Sequence, residues 1–149
     1  MKKAFTMVEL IFVIVILGIL AAVAIPKMGS SKSHAEIAKG RSDVASIRSS
    51  ILNERQTQLI KGINSFIPKL SDNDDLLFMG DGNGRTLLTY GIASGTSDGK
   101  WSKDKDNENV YYFHTNGKSI KFTYDKNKGT FSCDRDDDDT GTLCKKLVD

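Results

Sequence analysis

One carboxylate stands where the sequence is otherwise apolar. Residues 8–25 form an apolar run interrupted only by Glu9. A carboxylate inside a membrane or a dry core is costly, so it normally has a cationic partner or a task. The other chemically capable residues are sparse. His34 and His114 are the only histidines, and no nucleophile, metal or phosphate motif accompanies them. No catalytic residue is therefore assigned, and the chain reads as a non-enzyme.

Cys133 and Cys144 are the only cysteines. Two thiols fall short of a four-ligand zinc site, and the C-x-x-C spacing is absent. If the polar part lies outside the cytoplasm, a Cys133–Cys144 disulfide is the natural reading. Closing so short a loop would contribute about 3 kcal/mol in the chain-entropy picture. Two buried free thiols are the cytosolic alternative.

Two acidic segments invite a cation. Asp81-Gly82-Asn83-Gly84 lacks both the lysine of a phosphate loop and the distal glutamate of a calcium loop. It reads as a surface turn. Asp134, Asp136 and Asp138 alternate between the cysteines in a spacing that admits calcium, but no full ligand set accompanies them, and a solvated acidic loop is the simpler reading. No cofactor is expected. The formal net charge of +2 is too small to argue for a nucleic acid or an acidic partner.

These residues must be positioned by two very different parts of the chain. As a helix, Val8 to Ile25 would be about 27 Å long, close to the hydrocarbon thickness of a bilayer. A permanent anchor and a secretory signal peptide both fit such a run. Lys2 and Lys3 make a basic start, and Ala22-Val23-Ala24 fits a small-x-small cleavage pattern. A plain export signal, however, gains nothing from Glu9. Lys27, Lys32 and Lys39 follow the run, so counting positive charges does not orient it.

The segment Lys3-Ala4-Phe5-Thr6-Met7-Val8-Glu9-Leu10, with the aliphatic run ending at Pro26, resembles the leader of the type IV pilin and pseudopilin family. The resemblance implies a leader of residues 1–4, a hydrophobic membrane and filament-core helix over 5–28, and an extracytoplasmic globular domain over 29–149. It also implies cleavage between Ala4 and Phe5 by a prepilin peptidase and N-methylation of Phe5. Ala4 stands where the family usually has glycine. In the family's logic, the new amine of Phe5 pairs with Glu9 of a neighbouring subunit. Pairing within one chain is the alternative, the two residues lying about 6 Å apart along a helix axis. Gly18 and Pro26 match family positions where the helix loosens on leaving the bilayer. Pro26 lacks the donor that would bond the carbonyl of Ala22.

The implied fold is α+β: a long N-terminal helix, hydrophobic then amphipathic, packed on a small antiparallel sheet with a C-terminal disulfide loop. Residues 33–63 support the amphipathic half, with Ile37, Val44, Ile47, Ile51, Leu59 and Ile63 near one face and Lys39, Arg41, Arg48 and Glu54 mostly elsewhere. Gly62 and Pro68 are expected to end it. Residues 71–109 read as loops around one strand at Thr86–Ile92, with Trp101 pinning the insertion to the domain. Val110–His114 and Ser119–Tyr124 flank Asn116-Gly117, a type I′ hairpin signal. Thr130–Cys133 follows as a third strand. Tyr112, Phe122, Tyr124 and Phe131 are the core candidates.

The implied function is a structural subunit of a type IV pilus or of a secretion or DNA-uptake pseudopilus. Its partners would be like subunits, the peptidase and the inner membrane. The long loops and small domain lean towards a pseudopilin or minor subunit. A tip-located adhesin or DNA receptor on the same anchor is the alternative, with Lys118, Lys121, Lys126 and Lys128 as its basic patch.

Overall fold

The computed structural model describes residues 5–149, and of residues 24–30 the backbone alone. The chain divides into two compact units, one reaching to Ala35 and the other Glu36–Asp149. Helix α1, Met7–Ile60, supplies helix to both and continues through Gly18 and the backbone of Pro26.

Both ends of α1 are set by local chemistry. Thr6 precedes the first turn, and its Oγ1 accepts the Glu9 amide at 3.3 Å. The Glu9 carboxylate reaches back to the Thr6 amide at 3.5 Å. This reciprocal pair is a capping box, which satisfies two donors that a helix start otherwise leaves open. At the far end Gly62 takes φ +80. Its amide bonds the Leu59 carbonyl and the Ile63 amide bonds that of Gln58. That is a Schellman closure, which needs a residue at ease in the left-handed region.

In the unit Glu36–Asp149, α1 packs with Gly40, Val44, Ile47, Ile51, Glu54 and Gln58 buried. The alternating steps of four and three keep one side of the helix turned inward. Leu59 and Ile63, expected on that side, are exposed, and Glu54 and Gln58 take the buried positions. An acid can replace an aliphatic there because Arg85 neutralises it. Gly40 lets the backbone approach: a Cβ would lie 2.6 Å from the Phe113 ring and 2.7 Å from Leu147.

Opposite the helix lies a four-stranded antiparallel meander of β3 (Trp101–Lys103), β4 (Val110–Thr115), β5 (Lys118–Asp125) and β6 (Thr130–Cys133). Asn116 and Gly117 join β4 to β5 with φ of 54 and 68, and Thr115 pairs with Lys118. The expected two-residue hairpin is present. A separate ribbon pairs β1 (Leu76–Leu77) with β2 (Ile92–Ala93). The strand expected over Thr86–Ile92 does not form as such: Thr86 makes only an isolated bridge to Gly80, and Ile92 alone of that range is in a strand, as the first residue of β2.

The core is aromatic. Trp101 is fully buried, with Phe113 at 5.0 Å and Phe122 at 5.1 Å between ring centroids. Phe78 approaches it edge-on at 5.5 Å. Trp101 thus opens a strand at the centre of the core rather than pinning a loop to its margin. Tyr111 and Phe113 point inward from β4, whereas Tyr112 faces outward and its hydroxyl donates to Asp104 at 3.0 Å. Two adjacent tyrosines cannot share a face of a strand, and the alternation selects Tyr111.

The C-terminus is helical, which the sequence reading did not anticipate. Helix α2, Gly141–Val148, buries Cys144 and Leu147. It is tied to β6 by the Cys133–Cys144 disulfide, with Cα atoms 5.9 Å apart.

Candidate assembly site

Phe5 and the residues from Met7 to Val23 present large apolar side chains to the outside. Phe5 is 74% exposed, and Leu10 to Leu20 repeat the pattern around the whole helix. A helix that is apolar all round is built for a non-aqueous surrounding or for other helices. Among the described residues no helix is long and apolar enough to cross a membrane. The side chains of the apolar stretch are described to Val23, short of its end at Ile25 in the sequence.

Within this stretch Glu9 is the single acid, and its described partner is Thr6. The long 3.5 Å contact leaves the carboxylate oxygens with spare acceptor capacity. Thr6 was not singled out in the sequence, although Thr-x-x-Glu is a readable capping signal. A Cβ at Gly18 would meet nothing within 4 Å. Ala4 lies outside the described residues, as does the side chain of Pro26.

The remaining candidates lie in the unit Glu36–Asp149. Asp81 Oδ1 accepts the amides of Asn83 at 2.9 Å and Arg85 at 3.1 Å, so the Asp81–Gly84 segment is a turn that aims Arg85. Arg85 Nε and Nη2 donate to the two oxygens of Glu54 at 2.7 and 2.8 Å. Hydrogen bonding to Glu54 raises the Arg85 guanidinium further above its usual range. Arg85 also donates to the Ser65 and Phe66 carbonyls, which ties the segment after α1 to the loop before β2.

The acidic segment between the cysteines folds on itself. Asp134 Oδ1 accepts the Asp136 amide, and Asp137 Oδ1 accepts the Asp139 amide and both the amide and hydroxyl of Thr140. The Thr140 bonds hold the Asp137 carboxyl below the usual range. Among the described residues no three His, Cys, Asp or Glu side chains are grouped to hold a metal ion.

His114 sits on the outer face of β4 between two hydroxyls, Ser102 at 2.8 Å from Nε2 and Ser119 at 2.9 Å from Nδ1. The three residues link β3, β4 and β5. Desolvation lowers the His114 pKa, partly offset by Asp98. The four lysines do not form one patch. Lys118 begins β5 and pairs with Asp139, while Lys126 and Lys128 lie in the turn beyond its other end. That is about 23 Å of strand.

Comparison with known proteins points one way. The sequence pattern of the prokaryotic N-terminal methylation motif matches residues 1–25. A type IV major fimbrial protein FimA of Dichelobacter nodosus is 28% identical, over 91% of this chain and 89% of the relative. A second FimA of the same organism is 27% identical over 98% of each. No solved structure matches the chain. The motif sits on the Phe5–Glu9 segment, the likeness extends across the globular unit, and the fold joins an N-terminal helix to an antiparallel sheet and a disulfide-closed C-terminus: the chain carries the prokaryotic N-terminal methylation motif, is similar to type IV fimbrial proteins along its length, and has an α+β, pilin-like fold.

Proposed function

We infer that this chain is the repeating subunit of a type IV pilus-like filament, stored in the inner membrane and assembled through its N-terminal helix. One observation carries the reading: an apolar helix, exposed on every side, bears a single carboxylate close to its start. Water is a poor surrounding for that surface, whereas a bilayer and a bundle of identical helices both suit it.

Cleavage between Ala4 and Phe5, followed by methylation of Phe5, places a cation beside the Glu9 carboxylate. In a filament core that cation belongs to the incoming subunit. The pairing offsets two desolvation costs and fixes the axial stagger. Glu9 is released for it at small cost, because its bond to the Thr6 amide is long. Gly18 and Pro26 mark the stretch of α1 that extends as the subunit leaves the bilayer. The unit Glu36–Asp149 faces the extracytoplasmic side, where its disulfide persists.

Near-complete coverage of relatives named as major fimbrial proteins favours a shaft subunit over the pseudopilin or minor role suggested by the small domain. The test is Glu9→Ala in a strain lacking the native copy. Cleavage should proceed and filaments should be lost. Wild-type incorporation of the variant would remove the pairing role.

A further inference from the structure

Ser102, His114 and Ser119 stand in a row on the outer face of the sheet, away from the aromatic core. Ser102 Oγ lies 2.8 Å from His114 Nε2, and Ser119 Oγ lies 2.9 Å from Nδ1. The strand register explains the row. His114 is the cross-strand partner of Ser119, and Ser102 sits opposite Tyr112, one outward position along β4. The backbone beneath is fixed from the core side. Trp101 precedes Ser102, Phe113 precedes His114, and their ring centroids are 5.0 Å apart. A hydroxyl and an imidazole at this separation, with the second ring nitrogen held by a third group, have the geometry of an activated nucleophile.

The neighbours suit the ring to that task. Desolvation lowers the His114 pKa, so the imidazole is neutral at neutral pH. The tautomer with its proton on Nδ1, donated to Ser119 Oγ, leaves Nε2 to accept from the Ser102 hydroxyl. Asp98 acts on the same ring in the opposite sense and favours the imidazolium that forms once the proton is taken. Its carboxylate is placed by accepting the Gly117 amide at 3.2 Å.

Ser102 also borders open space. It lines a cleft of about 600 Å³ with Ser94, Thr96, Lys103, Lys105 and Glu108. The Asp104 amide bonds the Val110 carbonyl and the His114 amide bonds that of Lys100. Bonds of an antiparallel ladder recur at every second residue, so the Lys103 amide points away from β4, towards the open edge. Among the described residues no backbone acceptor holds it. An N–H directly after an attacking serine is suited to the negative charge that gathers on a carbonyl oxygen during attack.

We propose that Ser102 is an acyl-acceptor site, taking the acyl group of a small polar ester seated in this cleft with His114 as general base. The Ser102 hydroxyl gives its proton to His114 Nε2 as Oγ bonds the ester's carbonyl carbon. The bond from that carbon to the alcohol oxygen then breaks. The acyl group stays on Oγ, and the alcohol leaves with the proton from Nε2. A cleft of this size takes a small molecule. Its hydroxyls and the mixed charges of Lys105 and Glu108 suit a polar ester over a long aliphatic one. The site lies wholly in the unit Glu36–Asp149 and is independent of the filament reading.

Reaction of the detergent-solubilised full chain with p-nitrophenyl acetate at neutral pH tests this. Peptide mapping after acid quench should find an acetyl group on Ser102. If water removes the acetyl faster than it is added, a fluorophosphonate used in its place should trap the same oxygen. His114→Gln, checked for folding by its urea midpoint, should slow modification of Ser102 at least about a hundredfold. Ser119→Ala should slow it too, and Ser119→Thr, which restores the hydroxyl, should recover the rate. That pair carries the test if His114→Gln does not fold. Modification of lysines alone by the acetate, with Ser102 untouched by either reagent, would overturn the proposal. Equal rates at Ser102 in the unaltered chain and in folded His114→Gln would overturn it as well, leaving the three residues as a tie between β3, β4 and β5. Neither result bears on the filament reading, which Glu9→Ala tests separately.

Discussion

Arg85 grips Glu54 through two parallel hydrogen bonds of 2.7 and 2.8 Å, joining a glycine-rich turn to the buried side of α1. The Glu54 side chain is only 3% exposed, so the pair is largely desolvated. Glu54→Gln leaves the guanidinium without its counter-charge and should cost about 3 kcal/mol. Replacing both residues by methionine should recover most of that loss, because an apolar pair of similar volume carries no desolvation cost. Trp101 is the sole tryptophan, and its fluorescence during urea unfolding of the detergent-solubilised chain reports this core alone.

Two tyrosines make the fold sensitive to alkali. Burial pushes the Tyr111 and Tyr124 hydroxyls up to about 12, and Tyr124 donates to the Ile67 carbonyl at 2.8 Å. The usual phenol value is about 10. Above that pH the unfolded chain loses protons that the folded chain keeps, so stability falls as pH rises from about 10 towards 12. Urea midpoints across this range should decline, and Tyr124→Phe should flatten part of the decline. A flat profile in the unaltered chain would contradict the assignment.

The disulfide closes a separation of 11 residues between β6 and α2. Cys133→Ser with Cys144→Ser should therefore lower stability by about 3 kcal/mol. The effect should concentrate on α2, whose Cys144 and Leu147 are buried against the rest of the unit. Amide exchange would show α2 losing protection before β4 and β5.

Thr6→Ala removes the hydroxyl that caps the Glu9 amide. Loss of such a cap costs a helix start about 1 kcal/mol. In micelles the amides of Val8 and Glu9 should exchange faster by roughly fivefold, while those beyond the first two turns stay unchanged. Equal exchange in both chains would mean the capping box does not hold the helix start.

The N-terminal segment was the most legible part of the sequence. A one-helix segment is specified by composition and a few positions, and the motif on residues 1–25 is the one read from Phe5 and Glu9. Local chemistry was equally readable at Asn116-Gly117 and Gly62, where backbone conformation depends on the residue in place. Tertiary pairings were not. Glu54 looks solvent-facing until Arg85 arrives from 31 residues away. Tyr111 and Tyr112 are chemically alike, and only the pairing of Phe113 with Trp101 and Ile120 fixes which one turns inward. Helix α2 is short, begins at a glycine and is tied by its disulfide to the preceding strand β6. Strands β1 and β2 have two residues each and carry no periodic signal of their own.

The central claim is that the N-terminal helix is kept, trimmed and used to build a filament. Intact-mass analysis of the chain recovered from its native membrane or filament tests it most directly. A mature chain that begins at methylated Phe5, with Glu9 and the apolar helix still attached, is the predicted result. A chain that begins at Ile25 would contradict it, because the segment would then be an export signal removed before any filament could form.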